Sequence, residues 1–300
     1  RDVLGSRGLG DVYKRQAQDE IKLLRNLQAL IGVRYIYHEN FKNHATPNVA
    51  LMYKPGKFNF RASYAAGFRT PTLSELYATD IAKKNDRLTI GNLDLKPEKN
   101  NYFSLSAEYV HERFSVSVNA FYNNIRDMID YNTIATGDKA MEQYGHKEVR
   151  QRDNIAEAKV HGINVSANAY LGAGFNLSGG YTHLNTQDVE LEQPIDKSIK
   201  NAYNINAQWA HSWKIYRLNI NLNGRFNSKR FSKSYGYAPE YQLWDLNTRH
   251  SFNLKSVIIE PGFGMENLFD YMDDRPYNSN YATLTPGRSF YISLSLKFKS

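Results

Sequence analysis

From Leu27 onward the chain places an apolar residue at every second position. Between Leu27 and Tyr37, residues Leu27, Ala29, Ile31, Val33, Tyr35 and Tyr37 fall on one face, with Gln28, Arg34 and His38 on the other. The rhythm returns in Phe58, Phe60, Ala62 and Tyr64, which oppose Asn59, Arg61 and Ser63. It recurs in Phe103, Leu105, Ala107 and Tyr109, and again in Phe114, Val116, Val118, Ala120 and Tyr122. Later examples are Tyr216, Leu218, Ile220, Leu222 and Phe226, then Phe290, Ile292, Leu294, Leu296 and Phe298. A period of two is that of a half-buried strand, and about twelve such segments can be counted. No helical period is sustained. The pattern predicts an all-β, antiparallel protein.

The connections sharpen this expectation. Tight turns are predicted at 53–57, 111–113, 171–174, 211–214 and 253–256, and long connections at 67–100, 124–152, 187–199, 227–239 and 270–287. Short and long are expected to alternate without exception from Leu27 to Phe298. A sandwich or propeller has no reason to trim one edge and elaborate the other. A transmembrane barrel does, because lipid contact forces every backbone group into inter-strand bonds and loops grow only outside the bilayer. Strand ends also carry Tyr35, Tyr37, Tyr109, Tyr122, Trp209, Trp213, Tyr216, Trp244, Phe290 and Tyr291, as interfacial aromatic girdles require.

Bulk composition changes this picture little. Mean hydropathy is -0.60 and no run of apolar residues is long enough for a spanning helix. An alternating strand averages to near neutrality, so a low mean is compatible with a membrane barrel. There is no cysteine, which excludes a disulfide framework and thiolate metal sites. The eight histidines, at 38, 44, 111, 146, 161, 183, 211 and 250, show no metal-ligand spacing, so no metal site and no cofactor are expected. The net charge of +8 is spread over loops, and the short cluster at 228–233 comes with no recognition helix, so nucleic acid is not an expected partner. A glycan-active propeller would show an internal repeat of about forty to fifty residues, and none is present.

The first sixteen residues, Arg1 to Gln16, have no initiator Met, no apolar core and no cleavage site, and match no later pattern. Residues 1–16 are set apart as a non-native, adaptor-derived segment, and 17–300 as the body of the protein. The chain is then expected to be a fragment of a longer one.

Two polar signatures interrupt the strands, Gly67–Tyr77 (GFRTPTLSELY) and Gly91–Glu98 (GNLDLKPE). Together they resemble the paired barrel signature of TonB-dependent outer-membrane receptors, through Phe68, Arg69, Pro71, Glu75, Leu76, Asn92, Leu95, Pro97 and Glu98. Residues 117–129 and 154–167 resemble two further family segments, with Asn164 where a glutamate is usual. Asn267, Leu268, Phe269 and Asp270 match an element near the end, and 286–298 the last strand, although the chain closes on Lys299 and Ser300 instead of an aromatic.

The resemblance covers 17–300 and implies the C-terminal half of a 22-stranded barrel, with about twelve strands here and the plug domain absent. It implies a Gram-negative outer-membrane protein, not an enzyme, in contact with lipid and lipopolysaccharide. The implied activity is to bind a scarce, large ligand such as a ferric siderophore or cobalamin and import it with energy delivered through TonB. Its partners would be its own N-terminal plug, the TonB complex reached through the missing N-terminal part, and that ligand. A passive porin or a surface adhesin barrel is the alternative. Arg69, Glu75 and Glu98 are expected to make charged contacts at the lumen wall, with one another or with the plug, as structural elements. Ligand contact is assigned to loop tyrosines: Tyr131, Tyr144, Tyr235, Tyr237, Tyr277 and Tyr281.

Overall fold

The computed structural model describes residues 12–232, 236–273 and 285–299. Its wall is one antiparallel sheet in which each strand pairs with the next strand of the wall along the chain. The wall strands are β1 (Val12–Leu24), β2 (Leu27–His38), β3 (Lys42–Tyr53), β4 (Phe58–Arg69), β7 (Glu98–Val110), β8 (Phe114–Thr136) and β9 (Glu148–Gly172). They continue with β10 (Phe175–Asp188), β11 (Asn201–Trp213), β12 (Tyr216–Asn227), β15 (Tyr241–Asn253), β16 (Val257–Glu266) and β17 (Ser289–Phe298). Counted from Leu27 there are twelve, as the alternation predicts, and β1 adds one more. Its pairing runs from Val12↔His38 to Leu24↔Leu27, with no break at residue 16. Among the described residues β1 and β17 do not pair, so the sheet is open.

Register fixes which face is which. Tyr64 lies opposite Phe103 and Phe103 opposite Tyr122, while Leu222 lies opposite Leu246 and Leu246 opposite Met265. These apolar rows share one face. The other face is a polar ladder: Ser63 and Ser104 hydrogen-bond at 2.6 Å, Ser117 and Ser166 at 2.7 Å, and the Asn206 amide donates to Asn221 at 3.1 Å. Among the described residues the buried hydrophobic clusters lie on the long-loop side, built from the connections and the upper parts of β8 and β9. Leu76, Leu95 and Ile129 form one with Phe41; Leu88, Ala140 and Val149 form another with Ile90, Ala135 and Tyr144. Among the described residues no buried hydrophobic cluster lies at mid-wall, so the greasy face has only lipid to meet.

Two sequence expectations need correction. The alternation of short and long connections has an exception, because β2 and β3 are joined by only 39–41 on the long-loop rim. His38 makes this turn compact: it is buried, and its Nδ1 accepts from the backbone N–H groups of Asn40 and Phe41 at 3.2 and 3.4 Å. The predicted loop 124–152 is mostly strand. β8 and β9 stay paired up to Thr136↔Glu148, and the eight-residue helix α2 (Gly137–Tyr144) lies in the connection between them. The connection from β4 to β7 contains the five-residue helix α1 (Leu73–Tyr77) and the hairpin β5 (Thr79–Ala82) and β6 (Arg87–Ile90). β6 docks in parallel on β9, Arg87↔Glu148 to Ile90↔Gln151. In the connection from β12 to β15, β13 (Arg230–Ser232) pairs with β14 (Gly236–Ala238).

Candidate functional site: the clamp and cleft of the long-loop rim

Arg69 ends β4 on the polar face and lies opposite Glu98, the first residue of β7. Its Nε and Nη2 donate to the two Glu98 carboxylate oxygens at 2.7 and 2.6 Å, and its Nη1 and Nη2 to those of Glu75 at 2.8 and 3.1 Å. One guanidinium thus holds two carboxylates by paired bonds, a geometry lysine cannot reproduce. Pro71 is buried and, lacking a donor, ends the β4 ladder. Thr72 then caps α1: its hydroxyl accepts from the Glu75 N–H at 3.2 Å, and its own N–H donates to Glu75 Oε2 at 2.8 Å. Leu76, next in line, enters the cluster with Leu95 and Ile129.

The second signature closes on the first. Gly91 approaches the Leu76 backbone so closely that a Cβ would lie 2.5 Å from its carbonyl carbon, and the Asn92 N–H donates to the Glu75 carbonyl at 3.0 Å. Asn92 Oδ1 accepts from the Asp94 N–H at 2.9 Å, and Pro97 is buried. Glu98 Oε1 also accepts the Ile129 N–H at 2.8 Å, tying the clamp to β8. Asn154 on β9 completes it, accepting from the Lys96 N–H at 2.7 Å and donating to the Lys96 and Asp127 carbonyls at 2.9 and 2.6 Å. Phe68 stands apart on the lipid face, stacked on His44 at 4.3 Å. The charged trio therefore satisfies itself within this chain.

Glu75 lies in the loop. Burial pushes its carboxyl up, but hydrogen bonds from Arg69 and Thr72 outweigh this and hold its pKa below the ordinary 4.5. A depressed carboxylate pKa stabilises the folded form above the ordinary value, and that contribution fades as pH falls through the native one. Protection of the α1 amides, corrected for the intrinsic exchange rate at each pH, is expected to be full at neutral pH and to fall as pH drops below 4.5 and through the lowered native pKa. Arg69→Ala is expected to weaken loop anchoring by about 1–2 kcal/mol, the figure being reduced for an arginine side chain 43% exposed. Limited proteolysis within 70–97 measures it, and Arg69→Lys is expected not to restore protection.

The later element is a second clamp. Asn267 is buried with φ 53°; its amide donates to the Tyr271 and Pro286 carbonyls at 2.7 and 3.1 Å, and its Oδ1 accepts the Tyr271 N–H at 2.8 Å. The Leu268 N–H donates to the Trp244 carbonyl at 2.7 Å, and Asp270 Oδ1 accepts the Arg288 N–H at 2.7 Å. Phe269 is exposed and meets Trp244 edge-on at 6.4 Å.

Of the six loop tyrosines, Tyr235, Tyr277 and Tyr281 lie outside the described residues. The other three are not gathered into one site. Tyr144 packs on the Leu88–Ala140–Val149 cluster, and Tyr237 lies edge-on to Phe231 at 5.3 Å on the β13–β14 hairpin. Tyr131 lines a cleft of about 160 Å³ between the β5–β6 hairpin and β9. Arg152 lies 3.6 Å from the centroid of its ring. Arg87 and Arg150 line the same cleft, and Arg87 Nε is buried without a hydrogen-bond partner. These arginines were not singled out in the sequence. The alternation of Arg150 and Arg152 along one strand is a visible signal; that Arg87 joins them depends on the β6–β9 pairing.

Residues 16–268 match the model of the TonB dependent receptor-like beta-barrel. The chain belongs to this family. Solved receptors share its fold. The ferric enterobactin receptor of Pseudomonas aeruginosa matches at TM-score 0.77 and 20% identity over 96% of this chain and 45% of its own. The siderophore receptor PirA from Acinetobacter baumannii matches at TM-score 0.75 and 17% identity, over 96% and 46%. BauA, the ferric preacinetobactin receptor of Acinetobacter baumannii, matches at 0.70 and 18%, over 96% and 42%. The chain spans less than half the length of these receptors. As a TonB-dependent receptor beta-barrel it belongs to the outer membrane, with its lipid face set by the register described above.

Proposed function

We propose that this chain is the C-terminal half of a 22-stranded receptor barrel that captures a scarce, large ligand, a ferric siderophore, cobalamin or a similar compound, at the cell surface. The ligand is imported through a lumen closed by the receptor's own N-terminal plug, and TonB supplies the energy by acting on that N-terminal part. The observation that carries this reading is the match of nearly the whole chain to less than half of three receptors, named for ferric enterobactin, a siderophore and ferric preacinetobactin. The self-contained Arg69–Glu75–Glu98 clamp supports a structural role for the paired signatures, with recognition left to the loops between them. The cleft beside Tyr131 is lined by Arg87, Arg150 and Arg152 against one acid, Asp80, and with Arg150 already paired to Glu148 the two remaining arginines favour an acidic group on the ligand.

The test uses the full-length receptor containing this chain in a Gram-negative strain deleted for its own siderophore and cobalamin receptors. Uptake of one labelled ligand from a panel of ferric siderophores and cobalamin is expected, and it should vanish in a TonB-deficient background. Uptake that persists without TonB, or steady conductance in planar bilayers, would make the barrel a passive porin. Arg87→Ala and Arg152→Ala are each expected to raise the half-saturating ligand concentration about tenfold, the loss of one charge-assisted hydrogen bond.

A further inference from the structure

The two rims of the wall differ in charge. On the long-loop rim the connections hold thirteen basic and fourteen acidic residues. On the short-turn rim the count is seven basic to one acidic, with Lys299 after β17 included. Arg25 lies in the β1–β2 turn, Lys54 and Lys57 in the next, and Arg113, Lys214 and Lys255 in later ones. All are exposed. Among the described residues none of the seven pairs with a carboxylate.

These charges also stand at a definite height. Lys57 directly precedes Phe58, Arg113 directly precedes Phe114, and Lys214 directly follows Trp213. The aromatics are neighbours on the lipid face: Tyr109 packs on Phe58 at 4.9 Å and on Phe114 at 5.6 Å, and Tyr216 on Trp213 at 5.6 Å and on Phe252 at 5.0 Å. Such a belt marks the boundary between acyl chains and headgroups. Cations one residue beyond it sit at the level of lipid phosphates. Solvated turns alone would not explain why the opposite rim, with far more loop residues, is balanced.

We propose that the short-turn rim is a binding collar for the headgroups of anionic phospholipids in the leaflet facing the periplasm. Exposed lysines and arginines near such a surface attract anionic lipid additively, and salt weakens the attraction. The inference rests on the outer-membrane placement of the wall and is independent of which ligand is transported.

Trp213 provides the reporter. The full-length receptor would be reconstituted with dibrominated phosphatidylglycerol or dibrominated phosphatidylcholine of identical acyl chains. Quenching of Trp213 is read by difference from a Trp213→Phe variant. A several-fold preference for phosphatidylglycerol is expected, since each surface cation contributes on the order of fivefold at most. It should disappear in the Lys54→Gln, Lys57→Gln, Lys214→Gln, Lys255→Gln variant and in about 1 M salt, where the Debye length is about 3 Å. Equal quenching by both lipids in the native protein would overturn the proposal and leave the basic rim to a soluble anionic partner. A preference that survives both high salt and the four substitutions would overturn it as well.

Discussion

Leu222→Arg is expected to destabilise the barrel by about 2–4 kcal/mol, whereas Asn221→Arg, one residue away, should change it by less than about 1 kcal/mol. Leu222 sits midway along β12 with Ala207 and Leu246 opposite it on the neighbouring strands, all on the lipid face. A guanidinium there has no water and no counter-charge within reach. Asn221 points to the other face, where it accepts hydrogen bonds from Asn206 and Asn223 at 3.1 and 2.6 Å, and an arginine in its place remains hydrated. Urea titration of the full-length receptor in lipid vesicles measures both. Equal costs for the two would mean that the faces had been assigned wrongly, and the membrane reading of the whole wall would go with them.

Asn267→Ala is the second large effect. The side chain is 4% exposed, donates to two carbonyls and accepts from one backbone N–H, so its removal leaves three backbone groups without partners. Its φ of 53° is a region that asparagine tolerates and alanine does not favour. Together these cost on the order of 3 kcal/mol, confined to the β16–β17 connection. Hydrogen exchange at Leu268, Asp270 and Tyr271 should accelerate about a hundredfold, while amides in mid-wall strands such as β10 and β11 stay protected. Asn267→Gly should recover the backbone part and not the hydrogen bonds. Uniform acceleration across the sheet would instead make Asn267 a determinant of global folding.

How much of this was legible depends on which period the residues carry. The wall strands were readable from Leu27 because lipid on one side and a polar lumen on the other impose strict alternation, as in Leu218, Ile220 and Leu222. The upper halves of β8 and β9 were not, because beyond the bilayer neither face needs to be apolar and Asp130, Asn132, Arg150 and Arg152 remove the signal. The 39–41 turn was missed since its compactness comes from buried His38, a burial that no local pattern announces. In the charged trio, the residues were visible as a motif, but the partner of Arg69 was not. Two carboxylates from segments 6 and 29 residues away converge on it only because Pro71, the α1 cap and Gly91 fold the loop back. The arginine cleft needed a parallel strand pairing, β6 on β9, which sequence spacing does not encode.

The paired ends of β8 and β9 have a mechanical consequence. β9 has 25 residues where β12 has 12, so about ten residues of each arm rise above the bilayer, on the order of 30–35 Å at about 3.3 Å per residue. With β6 bonded along its flank, this hairpin is a braced mast and not a slack tether. It carries α2 out into the sugar layer that coats the cell, which makes the Gly137–Tyr144 tip a firm foothold for a bacteriophage tail or an antibody approaching from outside.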